Sequence, residues 1–304
     1  MRRGGGPVRV IDLPASLDFQ THDGLFREVE EAAGEKILFD GRHLRWVGPN
    51  GMVGLLAAGT VGRDRSGEPP ILELSGADDV RSYLSRMGFF QAAEGVFTVS
   101  TPVPRRSSGQ SDVLLEITPI TTNSDVHHVV DRVQKRAGAI LSNTLGYPPT
   151  SVVQFSVILS EVCQNVLEHA EAPGWVAAQS YNWVNRLGRH VVIISVADLG
   201  RGFRGSLSDE HSARFADRWG DVTALEAAFI HGLTRFPDSG RGQGIQQIRK
   251  QVRRWDGLIS IRSGTARIAD VPEWFDAPPL EEGLSDFPGT QINIVLPERV
   301  NDDA

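Results

Sequence analysis

The sequence predicts two units in tandem: an α/β unit, then an α+β two-layer sandwich. Three observations carry this. The chain has 304 residues, about twice the ~150 of an ordinary single domain. Strand-like and helix-like segments alternate over residues 1–100, the pattern of an open α/β layer. Beyond them helices and strands come in mixed order, and two strands are joined by the short turn NRLG (185–188), which suits a sheet backed by helices.

In chain order, VRVID (8–12) is a first strand and THDGLFREVEEAAGEK (21–36) an amphipathic helix. KILFD (36–40) is a second strand, residues 51–62 a small, tightly packed helix, EPPILEL (68–74) a third strand and ADDVRSYLSRMGF (77–89) another helix. TPVPRRSSGQSD (101–112), rich in Pro, Ser and Gly, marks a linker or hairpin loop between domains at 1–100 and 113–304. The second domain opens with a strand (113–118), a long helix (124–143), a Gly-Tyr-Pro-Pro break at 146–149 and a second long helix (150–171). Strands at 175–184 and 190–197, a loop-rich stretch, helices at 221–232 and 244–256, and strands at 257–262 and 290–296 complete it. The proline-rich insertion ADVPEWFDAPPLEEGLSDFPG (269–289) is expected to be a loop packed over the domain.

Composition narrows the function. Hydrophobic residues at 40% and charged residues at 23% are ordinary for a soluble globular chain. A net charge of −7 argues against general affinity for nucleic acid or anionic membrane. One cysteine, Cys163, excludes an internal disulfide and any multi-cysteine zinc or iron–sulfur site; on its helix it is expected to be buried packing. No apolar run reaches the ~18 residues of a membrane span. The opening MRRGGGPVRVIDLP lacks an apolar core, so a secretory signal is not expected and a cytoplasmic protein is.

Three segments carry chemistry. In FSVILSEVCQNVLEHA (155–170), Phe155, Leu159, Val162 and Val166 fall at helical spacing and would face a core. Glu161, Asn165 and His169 recur every four residues along the margin of that face. A carboxylate, an amide oxygen and an imidazole so aligned can hold a hydrated cation and a water. Surface polar residues beside a packed or capping His169 give the same pattern. In HVVIISVADLGRGF (190–203), a buried-type strand ends at Asp198 and runs into Gly200 and Gly202. Such a carboxylate accepts hydrogen bonds from a flat amino-bearing heterocycle, and the glycines let a ligand approach the backbone; an Asp-initiated turn is the plainer alternative. In DSGRGQGIQQIRKQVRRW (238–255), Gly240, Gly242 and Gly244 lead into a helix with an apolar side of Ile245, Ile248, Val252 and Trp255. Glycine-rich backbone feeding a helix N-terminus suits phosphate, though a flexible loop before a helix looks the same. The GK[ST] ending of a Walker loop is absent, and the order of elements does not fit the dinucleotide fingerprint.

Taken together and in this order, the three segments resemble the N box and the two glycine boxes of the GHKL (HATPase) superfamily of ATP-binding domains, over roughly residues 110–297. GTQINIVLP (289–297) resembles that family's last threonine-containing strand. The SEVCQNVLEHA segment, with His169 four residues after Asn165, is closest to the anti-sigma-factor serine kinases. The resemblance implies a GHKL/Bergerat fold binding ATP and Mg²⁺. Asn165 would ligate the Mg²⁺ bridging the phosphates, and Glu161 would act as general base. Asp198 would bond the adenine amino group with Thr290 contributing its hydroxyl or a water, and Gly200 and Gly202 would shape the adenine side. Gly240, Gly242 and Gly244 would wrap the phosphates, with residues 204–239 as a mobile lid. The implied reaction is phosphoryl transfer to Ser or Thr of a protein partner, with an ATP-gated interaction switch of slow or no hydrolysis as the alternative. A STAS-type or sigma-factor-like regulator is the implied partner, and a homodimer fits the same reading. No transducer-type lysine follows the last strand, so gyrase-like hydrolysis is not expected. A sensor-kinase role would need a phosphoacceptor at His127 or His128, and an exposed polar pair is the simpler account.

ILFDGRHLRWVGPNGMVGLLAAG (37–59) resembles the STAS domain of anti-sigma-factor antagonists, in which a phosphorylatable serine begins a helix just before a glycine. Asn50, before Gly51, stands at that place; it is expected to cap the helix but has no hydroxyl. Arg249, Lys250, Arg253 and Arg254 crowd the end of one helix, where they favour its dipole or offer a partner patch.

Overall fold

The computed structural model describes residues 7–18, 20–104, 114–139, 145–167, 172, 174–234 and 244–299. The chain divides into two compact units, Met1–Ile117 and Thr118–Ala304. No helix among the described residues is long and apolar enough to cross a membrane.

The first unit alternates strand and helix: β1 (Val8–Asp12), β2 (Ser16–Leu17), α1 (Asp23–Glu31), β3 (Lys36–Asp40), β4 (Trp46–Val47), α2 (Pro49–Ser66), β5 (Ile71–Glu73), α3 (Asp78–Arg86), α4 (Phe89–Ala92) and β6 (Thr98–Val99). β1, β3, β5 and β6 form one parallel sheet in that order, and β2 and β4 form a small parallel pair. Ile11, Ile37, Phe39 and Leu72 are buried on one side of the larger sheet, while Val8 and Val10 on the alternate side are half exposed. Sequential strand order with right-handed crossovers puts all connecting helices on one face, which accounts for this difference. α2 starts earlier than expected. Pro49 takes the first helical position and Gly48 is the N-cap, the placement proline favours. Asn50 therefore does not cap the helix; its Oδ1 accepts the Gly51 N–H at 2.8 Å, and the side chain is buried.

The second sheet is large and antiparallel. β7 (Leu115–Ile120) is followed by α5 (Asn123–Ala139), α6 (Pro149–Asn165), β8 (Gly174–Trp183), α7 (Val184–Leu187), β9 (Arg189–Asp198), α8 (Gly202–Phe215), α9 (Asp221–Phe229) and α10 (Gly244–Arg254). Then come β10 (Leu258–Gly264), β11 (Ala266–Asp270), β12 (Leu280–Glu281) and β13 (Phe287–Pro297). The strand order is β12-β11-β10-β13-β9-β8-β7, so β9 and β13 are central, and both are buried on both faces. α6 packs between α5 and α10. Phe155, Leu159, Val162 and Val166 of α6, and Ile245, Ile248, Val252 and Trp255 of and just beyond α10, are buried as their spacing requires.

Four details depart from the sequence expectation. The NRLG turn is one helical turn, α7, ended by Gly188 at φ 73. The stretch after Asp198 is not loop-rich, because α8 occupies most of it; only Ser206 and Leu207 of that helix are buried, so its apolar stripe is too thin to read. The 269–289 insertion is not all loop, since it contains the end of β11 and all of β12. β13 begins at Phe287, and the register slips opposite Ser263/Gly264, where Pro288–Gly289 produces a bulge.

Candidate functional site

β9 drives a run of buried apolar residues to Asp198 and stops. The carboxylate is 6% exposed. Burial pushes its pKa up to about 6, against the backbone amides of Gly200 and Thr290, which favour the charged form. Its Oδ1 accepts the Gly200 N–H at 2.9 Å. On the neighbouring strand Thr290 stands directly opposite Asp198.

The turn after Asp198 and the bulge before Thr290 approach each other too closely for side chains. A Cβ on Gly289 would lie 2.2 Å from the Asp198 carbonyl oxygen, and one on Gly202, at φ +61, would lie 2.6 Å from Ser263 Oγ. That hydroxyl accepts the Phe203 N–H at 3.0 Å and donates to the Gly289 carbonyl at 2.7 Å. Sequence reasoning missed Ser263, because nothing local marks a strand serine as a link between two distant backbone segments.

α6 supplies the second wall. Val162, Asn165 and Val166 face the cleft, and the helix widens to π geometry at 166–167, a distortion frequent at functional sites. Asn165 Nδ2 is buried and has no hydrogen-bond partner among the described residues. Glu161, one turn earlier, instead meets the start of α10. A Cβ on Gly244 would stand 2.6 Å from Glu161 Oε2.

Between these elements lies an open cleft of about 730 Å³, counting the space open to solvent. Val162, Val166, Val196, Phe203, Leu207, Ile245 and Ile292 make it largely apolar, and Asn165, Asp198, Ser206, Thr234 and Thr290 supply its polar points. Apolar walls with a few polar groups suit a flat, partly polar ring held edge-on by hydrogen bonds.

The structure thus brings Asn165, Asp198, Gly202 and Thr290 onto one cleft. Gly200 forms the turn that binds the Asp198 carboxylate, and Glu161 and Gly244 touch at the start of α10. His169, Gly240 and Gly242 lie outside the described residues. Of the expected lid, 204–239, the described part is helical through α8 and α9. Phe203, Ser206, Leu207 and Thr234 also line the cleft; the only hint in the sequence was the i,i+4 pair Phe203/Leu207 on an otherwise polar segment. His127 and His128 are exposed on α5. Cys163 is fully buried, and burial pushes its thiol up to about 12, so it is packing and not a nucleophile.

Asn165 fits the role of a metal ligand: its buried Nδ2 has no hydrogen-bond partner among the described residues, and a carboxamide oxygen is a hard donor suited to Mg²⁺. Among those residues no three His, Cys, Asp or Glu side chains are grouped to hold a metal.

The end of α9 is tied to α10 beside the cleft. Gln246 Nε2 donates to the Ala228 and Phe229 carbonyls at 3.0 and 2.6 Å, satisfying helix-terminal acceptors. Arg249 forks onto Asp270 at 2.8 and 2.9 Å, donates to the Phe229 carbonyl and lies 3.8 Å from the Phe229 ring centroid. Burial raises the Asp270 pKa, but Arg249 and Arg253 outweigh it and hold the carboxyl below its ordinary value. These two arginines thus serve an internal pair, and of the four basic residues only Lys250, Arg253 and Arg254 are exposed.

Comparison with protein-family models returned no match, and neither did comparison with curated proteins.

Proposed function

We propose that the second unit is an ATP-binding domain of the GHKL type and that the chain is a cytoplasmic regulator acting on a protein partner. The supporting observation is the pairing of Asp198 and Thr290 at facing ends of β9 and β13, on a largely apolar cleft. Asp198 accepts the base amino group and Thr290 adds its hydroxyl. Asn165 holds Mg²⁺, which when bound neutralises charge on the phosphates. The N-terminus of α10, opened by Gly244, presents backbone amides to the same phosphates. Glu161 takes the proton from a Ser or Thr hydroxyl of the partner as that oxygen attacks the γ-phosphorus, and the bond to the β–γ bridging oxygen breaks, releasing ADP. The first unit is proposed as a STAS-like docking module for a STAS-type or sigma-factor-like regulator; the burial of Asn50 fits a module with no phospho-switch of its own.

The absence of Glu161 from the cleft lining favours a second reading in which ATP switches an interaction with little turnover. Calorimetric titration of Mg²⁺-ATP into the wild type and Asn165→Ala tests the site. Saturable binding weakened by the substitution is expected, and no binding by the wild type overturns the proposal. Glu161→Ala then separates the two readings: loss of phosphoryl transfer marks a kinase, and regulation kept without Glu161 marks a switch.

A further inference from the structure

We propose that Ser263 is a positioning residue that sets the spacing between the Asp198 turn and Thr290, and through it the preference of the cleft for a 6-amino purine over a 6-oxo purine. The inference rests on the ATP reading of the cleft. Ser263 does not line the cleft and is 3% exposed. It stands at the end of β10, where the pairing with β13 slips. Its hydroxyl holds two backbone segments at once: the Phe203 N–H at the first turn of α8, and the Gly289 carbonyl next to Thr290. One segment continues from Asp198 and the other carries Thr290, the two groups that would read the base edge. Gly202 crowds the same oxygen, since a Cβ there would be 2.6 Å away.

Discrimination by hydrogen bonding depends on placement, because a misplaced donor or acceptor leaves a buried polar group unpaired. A 6-amino group donates to the Asp198 carboxylate, whereas a 6-oxo group meets it as acceptor against acceptor. Ser263→Ala removes both bonds and lets the Gly289–Thr290 segment move relative to the Asp198 turn, so the rejection of the oxo purine relaxes.

The experiment measures ATP and GTP affinity and the melting temperature of the full chain for the wild type, Ser263→Ala and Ser195→Ala. Ser195 is a matched control: it is fully buried in the same sheet and its hydroxyl donates to Asn293 Oδ1 at 2.6 Å, not to the Asp198 turn. Both variants should melt lower. Only Ser263→Ala should weaken ATP binding, by about tenfold for two lost hydrogen bonds, and bring the ATP-to-GTP preference toward unity. A preference kept within about twofold of wild type in Ser263→Ala, beside a lowered melting temperature, makes Ser263 a packing residue and overturns the inference. Failure of the wild type to bind ATP overturns the ATP reading instead. Should Ser263→Ala not fold, Ser263→Cys fills the site with a slightly bulkier and much weaker hydrogen-bonding group and carries the same expectation.

Discussion

Glu161 and Gly244 occupy one small space between α6 and α10: a single added methyl at residue 244 would sit 2.6 Å from Glu161 Oε2. The obstructing atom is the far end of a flexible side chain, so Gly244→Ala displaces the carboxylate more than the backbone. Alanine also favours helical backbone over glycine, by less at the first residue of a helix than the ~1 kcal/mol of its interior. Melting temperature should therefore stay level or rise slightly, while phosphoryl transfer falls about tenfold if Glu161 is the base. Unchanged transfer with an unchanged melting curve would remove Glu161 from the reaction.

The buried Asp198 carboxylate costs the fold stability at neutral pH. Its folded pKa of about 6 stands above the ordinary aspartate value of 3.8, so the folded state binds the proton more tightly than the unfolded one. The destabilisation is absent below pH 3.8, grows between pH 4 and 6 and is complete above about pH 6, where two pKa units correspond to at most about 3 kcal/mol. Asp198→Asn should raise the melting temperature at pH 7.5, lose that advantage near pH 4, and bind ATP poorly at both. Thermal melts at the two pH values decide it, and no gain at pH 7.5 contradicts the prediction.

Gly289→Ala should be severe. The new Cβ would lie 2.2 Å from the Asp198 carbonyl oxygen and 2.8 Å from Leu199 Cα, at φ +148, and neither neighbour is a side chain that can swing away. A loss of more than about 3 kcal/mol is expected from overpacking and strain together, read from denaturant melts. A wild-type midpoint would mean that β13 meets the turn less tightly.

Removing Asp270 should cost about 3–5 kcal/mol, because Arg249 is left buried without its counter-charge; removing Arg249 should cost less, because Arg253 still pairs with Asp270 at 2.6 Å. Arg249→Lys should not restore stability, since lysine makes neither the fork onto Asp270 nor the stack on Phe229. Acid weakens the same pair: the depressed Asp270 pKa means its contribution is present above pH 3.8 and is lost as pH falls through the lower folded value. Chemical denaturation of Arg249→Lys settles the first point, and a wild-type midpoint would refute it.

What the sequence made legible was periodic or local. The α6 and α10 faces followed from apolar spacing, and Asp198 from the abrupt end of a buried strand. Thr290 was legible only through a family resemblance, since its position depends on the pairing of two strands ninety residues apart. Asn50 was misread as a cap because the proline before it starts the helix sooner. α8 was missed because a helix burying two residues leaves almost no stripe. Ser263, Gln246 and Arg249 act through long-range bonds to backbone carbonyls and amides, which no spacing in the chain announces.

β13 lies between β9 and β10 although it is made after both. A nascent chain that has emerged only as far as residue 286 has two half-sheets with a gap between them, no Thr290, and the buried face of β9 open to solvent. Closing the gap requires pairings of high sequence separation, the slow kind in folding. Premature termination anywhere before β13 therefore removes the cleft wholesale and exposes two unpaired central edges, which are templates for aggregation.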